Sequence, residues 1–114
     1  MLSIIIPSFK EPGIRKAIDS ILGQRIKENY ELIISAPDKE TEDIVMEYKR
    51  RHKNIKYYKD KRKGKVHALN EVFKICNGHI IIITDGDVYL GNNSINAIID
   101  SFKDKSVGCI SGKP

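Results

Sequence analysis

The chain alternates short apolar runs with amphipathic segments, and this alternation constrains its fold more than any other feature. Nearly continuous apolar runs occur at five places: LSIIIP (2–7), YELIIS (30–35), NIKYYK (54–59), HIIIIT (79–84) and SVGCIS (106–111). Between them, apolar residues recur at spacings of three and four, which predicts helices over 12–24, 41–52, 65–76 and 93–104. Strands of this kind, each followed by a helix, predict an α/β fold with a mostly parallel sheet that is covered on both faces.

The second predicted helix has the clearest boundaries. Thr41 is the expected N-cap, acidic residues fill the first turn, and basic residues fill the last turn. This charge order is favourable because it complements the helix dipole. Asn77 and Gly78 are expected to end the third helix.

The length and composition restrict the class of protein. A chain of 114 residues is one domain or part of one, and 40% hydrophobic with 31% charged residues is typical of a soluble globular protein. The apolar runs are too short to span a bilayer, and Lys10 and Glu11 interrupt the first one before it reaches signal-peptide length. We therefore expect a cytoplasmic location, with any membrane association provided by a partner. Cys76 and Cys109 lack metal-ligand spacing and are expected to be reduced core residues.

Half of the 20 Lys and Arg residues lie between positions 49 and 65, where Asp60 is the one acid. A segment of this charge is compatible with a solvated surface, a nucleic acid, an anionic lipid surface or a phosphate ligand. Nucleic acid is disfavoured, because no helix-turn-helix, zinc-finger or RNA-recognition pattern accompanies the charge. A diphosphate would need only a few of these side chains.

Unusual residues cluster where the predicted strands end. Ligands of open parallel sheets bind beyond the carboxyl ends of the strands, which here means loops 7–11, 36–39, 61–65 and 84–88. The last loop contains Asp85 and Asp87 with Gly86 between them. In an extended segment alternate residues face one side, and two carboxylates about 6 Å apart repel by roughly 3 kcal/mol at an effective dielectric of 20. A divalent cation would remove this cost, and oxygen ligands favour Mg or Mn.

Other interpretations of the two aspartates are open. Asp-Gly is a common turn dipeptide, so an ordinary turn is the simplest alternative. A calcium EF-hand is excluded, because Tyr89, Leu90 and Asn96 stand where its loop requires an Asp or Asn, a Gly and a Glu. A response-regulator receiver is disfavoured, since its acidic cluster is spread over separate strand ends.

Several stretches, taken in order, resemble the inverting family-2 glycosyltransferases of GT-A fold. SIIIPSFKE (3–11) is similar to their opening SIIIPxYNE, ELIIS (31–35) to their second strand, GKVHALNEVFKICNG (64–78) to GKxxALNxGxxxAxG, and IIIITDGDV (80–88) to IxxxTDxDV. VGCISGKP (107–114) resembles the strand that follows, so the resemblance covers essentially the whole chain. It implies a Rossmann-like α/β/α sandwich of GT-A type with about five strands. Residues 1–114 would form one nucleotide-sugar-binding domain, truncated before the acceptor-binding half.

The resemblance also implies roles for the matching residues, in a transferase of hexosyl type. Pro7, Ser8 and Glu11 would lie against the base and ribose of a nucleotide-diphosphate sugar of UDP or GDP type. Asp85 would contact the ribose or sugar and lie beside the metal. Asp87, the second acid of the DxD motif, would ligate Mn or Mg bridging the diphosphate.

Further positions are implied less directly. Lys65 and Arg62 would reach the phosphates from the basic loop. Asn70 is either part of the site or a buried structural amide, and His67 is expected on the helix surface.

Two departures from the family pattern affect nucleotide recognition. Lys10 stands where the family usually has Asn, and Ala36 stands where it has its base-reading acid. Asp38 is the candidate substitute for that acid, which leaves the nucleotide undetermined.

No residue of the chain is a credible general base for the acceptor hydroxyl. We therefore expect a homo-oligomer or a separate acceptor-binding polypeptide. A nucleotide-sugar-binding or regulatory module without turnover is the alternative function. A nucleotidyltransferase is disfavoured, because SFKEPGIRK (8–16) contains Gly13 alone where a glycine-rich phosphate loop is needed.

Overall fold

The computed structural model describes residues 1–103, except for the side chain of Lys65, and within this part strands and helices alternate strictly. The elements are β1 (Leu2–Pro7), α1 (Ile14–Leu22), β2 (Tyr30–Ala36), α2 (Lys39–Arg51), β3 (Ile55–Lys59), α3 (Lys65–Ile75), β4 (Ile80–Ile83) and α4 (Ser94–Ser101). The strand order is β3-β2-β1-β4, and all three neighbouring pairs are parallel. The expected α/β fold is confirmed with four strands in the described part. The fifth strand predicted at 106–111, and Cys109 within it, lie outside the described residues.

The two faces of the sheet are covered by different helices. On one face Leu2, Ile4 and Ile6 of β1 pack in a core with residues of α1, α2 and α4. On the other face Ile5 packs with Ile33 of β2 and Val72 of α3. Both faces of β1 are therefore buried, which explains its nearly continuous apolar run. Among residues 1–103, no helix has the length and apolar character that crossing a membrane requires.

Glu31 is a carboxylate buried in the sheet on the α3 side, with 1% of its surface exposed. Ser3 Oγ and the Asn77 backbone N–H each donate to its Oε2 over 2.6 Å, and Lys56 Nζ lies 2.6 Å from its Oε1. Gly78 N–H donates to Ser3 Oγ over 2.8 Å. Glu31 thereby links three strands to the connection between α3 and β4, and one member of the basic segment, Lys56, has a structural role.

The start of α2 differs from the prediction. The N-cap is Asp38, whose Oδ2 accepts hydrogen bonds from Thr41 N over 3.0 Å and from Thr41 Oγ1 over 2.6 Å. The assignment of Thr41 as the N-cap is therefore wrong. Asp38 has extended backbone angles that aim its carboxylate at the free N–H groups of the first turn, and Thr41 lies buried inside that turn.

The segment after β4 is held by side chains from the end of α1 and the loop that follows it. Ser20 Oγ accepts from Leu90 N over 3.1 Å, and Gln24 Oε1 accepts from Ile95 N over 3.1 Å. Buried Asn96 accepts from Lys27 N over 2.8 Å and donates to Arg25 O over 2.6 Å. These contacts hold residues 90–96 against the end of α1 and the loop that follows it.

Candidate functional site

The loops after the four strands start side by side at the carboxyl-terminal end of the sheet. Backbone hydrogen bonds extend the strand pairing by one residue there: Ser8 N donates to Ser35 O over 2.8 Å, Asp60 N to Ala36 O over 3.1 Å and Thr84 N to Ile5 O over 3.0 Å. Because the strands are parallel, their carboxyl ends lie together here, and ligands of such folds bind beyond these ends.

A cleft of about 490 Å³ opens between the loops after β1, β2 and β3. Its lining residues are Pro7, Ser8, Phe9, Pro37, Asp60, Arg62, Gly64 and Ala68. This volume is within the range of small-molecule sites, and the lining is mostly apolar with a few polar groups, as in such sites. The cleft contains three of the predicted site residues, Pro7, Ser8 and Arg62.

One wall of the cleft is aromatic and positively charged. Phe9 is 50% exposed, and the Arg62 guanidinium lies 5.1 Å from the centre of its ring. Lys10 Nζ lies 5.7 Å from the same ring. Such cation–π contacts stabilise the ring where it is, and half of the Phe9 surface stays accessible at the cleft.

Asp60 and Phe9 are lining residues that the sequence interpretation did not identify. Asp60 is the first residue after β3, and its Oδ1 accepts a hydrogen bond from Arg62 N over 2.8 Å. Arg62 has a positive φ of 60°, so this bond holds an unusual backbone turn. The sequence contains one indication of this position, because Asp60 directly follows the strand predicted at 54–59, at the end of the sheet where ligands bind.

Asp38 lies outside this cleft, beside a smaller pocket of about 180 Å³. Its Oδ1 accepts from Lys10 N over 3.1 Å, while Oδ2 caps α2. Burial works to raise the pKa of Asp38, but the hydrogen bonds from Thr41 and Lys10 outweigh it and hold the pKa below its ordinary value. Both carboxylate oxygens are thus engaged in structural bonds, and Lys10 has a positive φ of 47°, a conformation that Asn adopts more readily.

The loop after β4 turns sharply at the two aspartates. Val88 N donates to Asp85 O over 3.1 Å, which closes a turn over 85–88. The segment 85–88 is therefore a turn and not the extended segment that was expected, which agrees with the preference of the Asp-Gly dipeptide for turns. Asp85 and Asp87 are exposed, and Gly86 between them is buried.

Gly86 brings the β4 loop against the β1 loop. A Cβ at this position would lie 2.8 Å from Ser8 Oγ and 3.1 Å from Glu11 Cγ, so a larger residue would have to displace the Ser8 or Glu11 side chain. Glu11 is held in place because its Oε1 accepts from Gly13 N over 3.0 Å. Ser8 Oγ is buried and has no hydrogen-bond partner among the described residues. A buried hydroxyl without a partner requires an explanation, and a ligand at this position would provide one.

The acidic turn suits a cation that is shared with a ligand. Within residues 1–103, no three His, Cys, Asp or Glu side chains are grouped closely enough to hold a metal by themselves. Mg²⁺ and similar ions are commonly held by one or two carboxylates together with substrate phosphates. Asp85 and Asp87 fit that requirement in number and chemistry.

The α3 residues have different positions. Asn70 is exposed, so the interpretation of it as a buried structural amide is wrong. His67 is half-buried with its Nε2 3.5 Å from Glu71 Oε1, one turn along the helix. The side chain of Lys65 lies outside the described residues.

Comparison with known sequences identifies relatives. The family model described as "Glycosyl transferase family 2" matches residues 3–114. A dolichyl N-acetyl-alpha-D-glucosaminyl phosphate 3-beta-D-2,3-diacetamido-2,3-dideoxy-beta-D-glucuronosyltransferase of Methanococcus voltae is 34% identical over 109 residues, which is 90% of this chain and 34% of that protein. A poly(ribitol-phosphate) beta-glucosyltransferase of Bacillus spizizenii is 33% identical over 101 residues, which is 82% of this chain and 16% of that protein. The chain therefore spans about a third of the length of the first relative and less of the second.

Comparison with solved structures gives the same fold. The crystal structure of residues 1–349 of TarS from S. aureus in complex with UDP matches with a TM-score of 0.76 at 22% sequence identity, covering 91% of this chain and 32% of that one. At this identity the match establishes a common architecture.

Proposed function

The chain belongs to glycosyl transferase family 2, and from this we propose that it binds a nucleotide-diphosphate sugar of UDP or GDP type for glycosyl transfer. The observation that supports the proposal most directly is the contact of Gly86 with Ser8 and Glu11. It brings the acidic turn at 85–88 to the cleft that contains Phe9 and Arg62. A nucleoside stacked at Phe9 would thus have its diphosphate within reach of a carboxylate-bound cation.

We assign the parts of the ligand to residues as follows. Pro7, Ser8 and Glu11 would contact the base and ribose, and the unpartnered Ser8 Oγ would gain a hydrogen-bond partner. Asp87, with Asp85 beside it, would hold Mn or Mg, and that ion would neutralise the diphosphate charge. Arg62 at the cleft, and Lys65 at the start of α3, would supply positive charge to the phosphates.

A UDP ligand is supported by the structural neighbour, since TarS was crystallised with UDP. We place this activity in the cytoplasm, where a partner could hold the protein at the membrane.

Asp87→Asn should weaken UDP binding in the presence of Mn²⁺ by about 30-fold, or roughly 2 kcal/mol. The amide keeps the shape of the side chain but removes the charge that would ligate the ion, and bonds to charged groups contribute about 1.5–3 kcal/mol. Isothermal titration calorimetry with and without Mn²⁺ measures the UDP dissociation constant of each variant under both conditions. The comparison gives the loss caused by the substitution and its dependence on the ion. Asp43→Asn, at an exposed acid of α2, is the matched control and should bind as the unchanged protein does.

The metal dependence decides this test. If Asp87→Asn weakens binding equally with and without Mn²⁺, or not at all, Asp87 does not hold the ion. If a folded protein binds no nucleoside diphosphate with any divalent cation, the proposed function is wrong.

Among residues 1–103, no side chain is placed as the general base of the reaction would be. Three acids near the sheet edge already accept hydrogen bonds from backbone N–H groups: Glu11 from Gly13, Asp38 from Lys10, and Asp60 from Arg62. This arrangement favours binding over proton abstraction. We propose that acceptor binding and the base come from a partner, either a second copy or a separate acceptor-binding polypeptide.

The same observation favours a second function, a non-catalytic nucleotide-sugar-binding or regulatory module. Transfer or slow hydrolysis of a radiolabelled UDP-sugar, lost in Asp87→Asn, would exclude it. Metal-dependent binding without any turnover would support it.

We propose that a second copy covers the exposed side of β4. Within residues 1–103, β4 is an edge strand, and Ile81 and Ile83 on the α3 side of the sheet are 41% and 46% exposed. The opposite edge strand, β3, carries the exposed Lys59, which would repel a second copy, whereas β4 is uncharged. An uncharged edge with exposed isoleucines suits two-fold self-pairing.

Replacing both Ile81 and Ile83 with lysine should therefore raise the dimer dissociation constant at least tenfold, about 1.4 kcal/mol. Sedimentation equilibrium measures this constant. Val66→Lys, at an exposed apolar residue of α3, adds charge away from β4 and should leave the constant unchanged. A strictly monomeric chain at high concentration would contradict self-association and leave the acceptor-binding polypeptide as the proposed partner.

A further inference from the structure

We propose that Asp60 reads the base of the bound nucleotide and selects uracil over the other bases. The inference rests on the proposed nucleotide binding and concerns which nucleotide is bound. The family pattern has its base-reading acid at the position of Ala36, which cannot serve, and Asp38 was the expected substitute. We assign base recognition to Asp60 instead.

The position of Asp60 supports this role. Its backbone N–H donates to Ala36 O over 3.1 Å, so Asp60 lies directly beside the end of β2. Ala36 is fully buried and offers only a methyl group. Asp60 is the one acid among the described residues that line the cleft, and Asp38 lines the neighbouring pocket instead.

Phe9 provides the surface on which a base can stack. Its ring is half exposed in the same cleft, and Arg62 holds it at 5.1 Å. Stacking of a base on an aromatic side chain is favourable for every base, so Phe9 contributes affinity without selectivity. Selectivity must come from a polar group at the edge of the base, and Asp60 carries such a group in this cleft.

The hydrogen-bonding state of Asp60 determines which base it accepts. Its Oδ1 is engaged by Arg62 N over 2.8 Å, and its Oδ2 has no hydrogen-bond partner among residues 1–103. An ionised carboxylate only accepts hydrogen bonds. Uracil presents one ring N–H donor at N3, which matches one available oxygen.

The other bases match this oxygen less well. Cytosine and adenine present a lone pair at the corresponding ring nitrogen, which a carboxylate repels, so they can pair with Oδ2 only through the neighbouring amino group. Guanine presents two parallel donors, N1–H and the amino group, which pair best with both oxygens of a carboxylate. A two-point pair with guanine would require Oδ1 to accept a second hydrogen bond beside the one from Arg62 N, whereas uracil needs Oδ2 alone, so the arrangement favours uracil over guanine. Asp60 is half-buried, so a base that covers Oδ2 without donating to it should bind more weakly than uracil.

Calorimetric titration with UDP, CDP, GDP and ADP in Mn²⁺ tests the proposal. We expect UDP to bind at least tenfold more tightly than CDP or ADP, and more tightly than GDP. In Asp60→Asn the amide oxygen can keep the bond to Arg62 N, which leaves the amide NH₂ facing the base. An NH₂ group donates to cytosine N3 and opposes uracil N3–H, so the ratio of UDP to CDP affinity should fall at least tenfold. Asp100→Asn, at an exposed acid of α4, is the control and should leave the ratio unchanged.

The outcomes separate this inference from the proposed function. Equal binding of UDP and CDP, tightest binding of GDP, or an unchanged ratio in Asp60→Asn would overturn the role of Asp60 while nucleotide binding stands. A ratio that falls in Asp38→Asn but not in Asp60→Asn would overturn it in favour of Asp38. Failure of the folded protein to bind any of the four nucleotides would overturn the proposed function itself.

Discussion

Glu31→Ala should lower the free energy of unfolding by about 3–5 kcal/mol, the range expected when one member of a buried charge network is removed. The substitution leaves the Ser3 hydroxyl and the Asn77 N–H without their 2.6 Å acceptor inside the protein. It also removes the partner of Lys56, although that side chain is 44% exposed and can be hydrated again. Most of the loss should therefore come from the two unsatisfied donors and the space left by the side chain.

Urea denaturation followed by circular dichroism measures this loss. Glu28→Ala is the matched control, because Glu28 is a nearby glutamate whose ion pair with the N-terminus is exposed, and it should cost less than about 1 kcal/mol. A cost for Glu31→Ala that is no larger than for Glu28→Ala would contradict the structural role of Glu31.

Glu31 should also make the protein sensitive to acid. Burial works to raise the pKa of Glu31, but the hydrogen bonds from Asn77, Lys56 and Ser3 outweigh it and hold the pKa below the ordinary value of 4.5. Because the folded pKa is lower than the unfolded one, its stabilising contribution is complete above pH 4.5 and is lost as the pH falls through the folded value. In Glu31→Gln, the dependence of stability on pH in this acid range should be weaker.

Gly78→Ala should destabilise the protein by about 3 kcal/mol, at the upper end of the usual cost of overpacking. A Cβ at Gly78 would overlap the backbone N of Ser3 and lie 2.8 Å from the carbonyl carbon of Leu2. These are backbone atoms of the central strand, so they cannot move aside without disturbing the pairing of β1. The hydrogen bond from Gly78 N to Ser3 Oγ would be strained by the same movement.

Gly91→Ala provides the comparison for this substitution. A Cβ there would have no atom within 4 Å, and its cost should be within about 0.5 kcal/mol of zero. Thermal unfolding of both variants, followed by circular dichroism, tests the difference. Similar midpoints for the two variants would contradict the close approach of β1 and the residues before β4.

Both substitutions act at the end of the sheet opposite the cleft. Glu31 and Ser3 are the second residues of their strands, whereas Phe9 and Asp60 follow the carboxyl ends. Stability and the proposed nucleotide binding should therefore be separable in this protein. Folded Glu31→Ala, studied well below its unfolding midpoint, should keep the nucleotide preference of the unchanged protein.

The site was predicted in part from the sequence. Pro7, Ser8 and Arg62 line the cleft, and the acidic turn lies against the β1 loop through Gly86. Asp38 is instead engaged by Lys10 and Thr41, which the sequence pattern does not reveal because Lys10 is 28 residues away. Asp60 was overlooked for a similar reason, since its contact with Ala36 crosses from one strand end to another.

The sequence by itself determined the alternation of strands and helices, because the spacing of apolar residues is a local property that reports which faces are buried. It also indicated the edge where the ligand would bind, because that edge follows from the direction of parallel strands. Only the tertiary structure decided which carboxylate caps α2, which one lines the cleft and which one is buried among Ser3, Lys56 and Asn77. The physical reason is that an acidic side chain takes its role from the donors around it, and in this fold most of those donors come from distant parts of the chain.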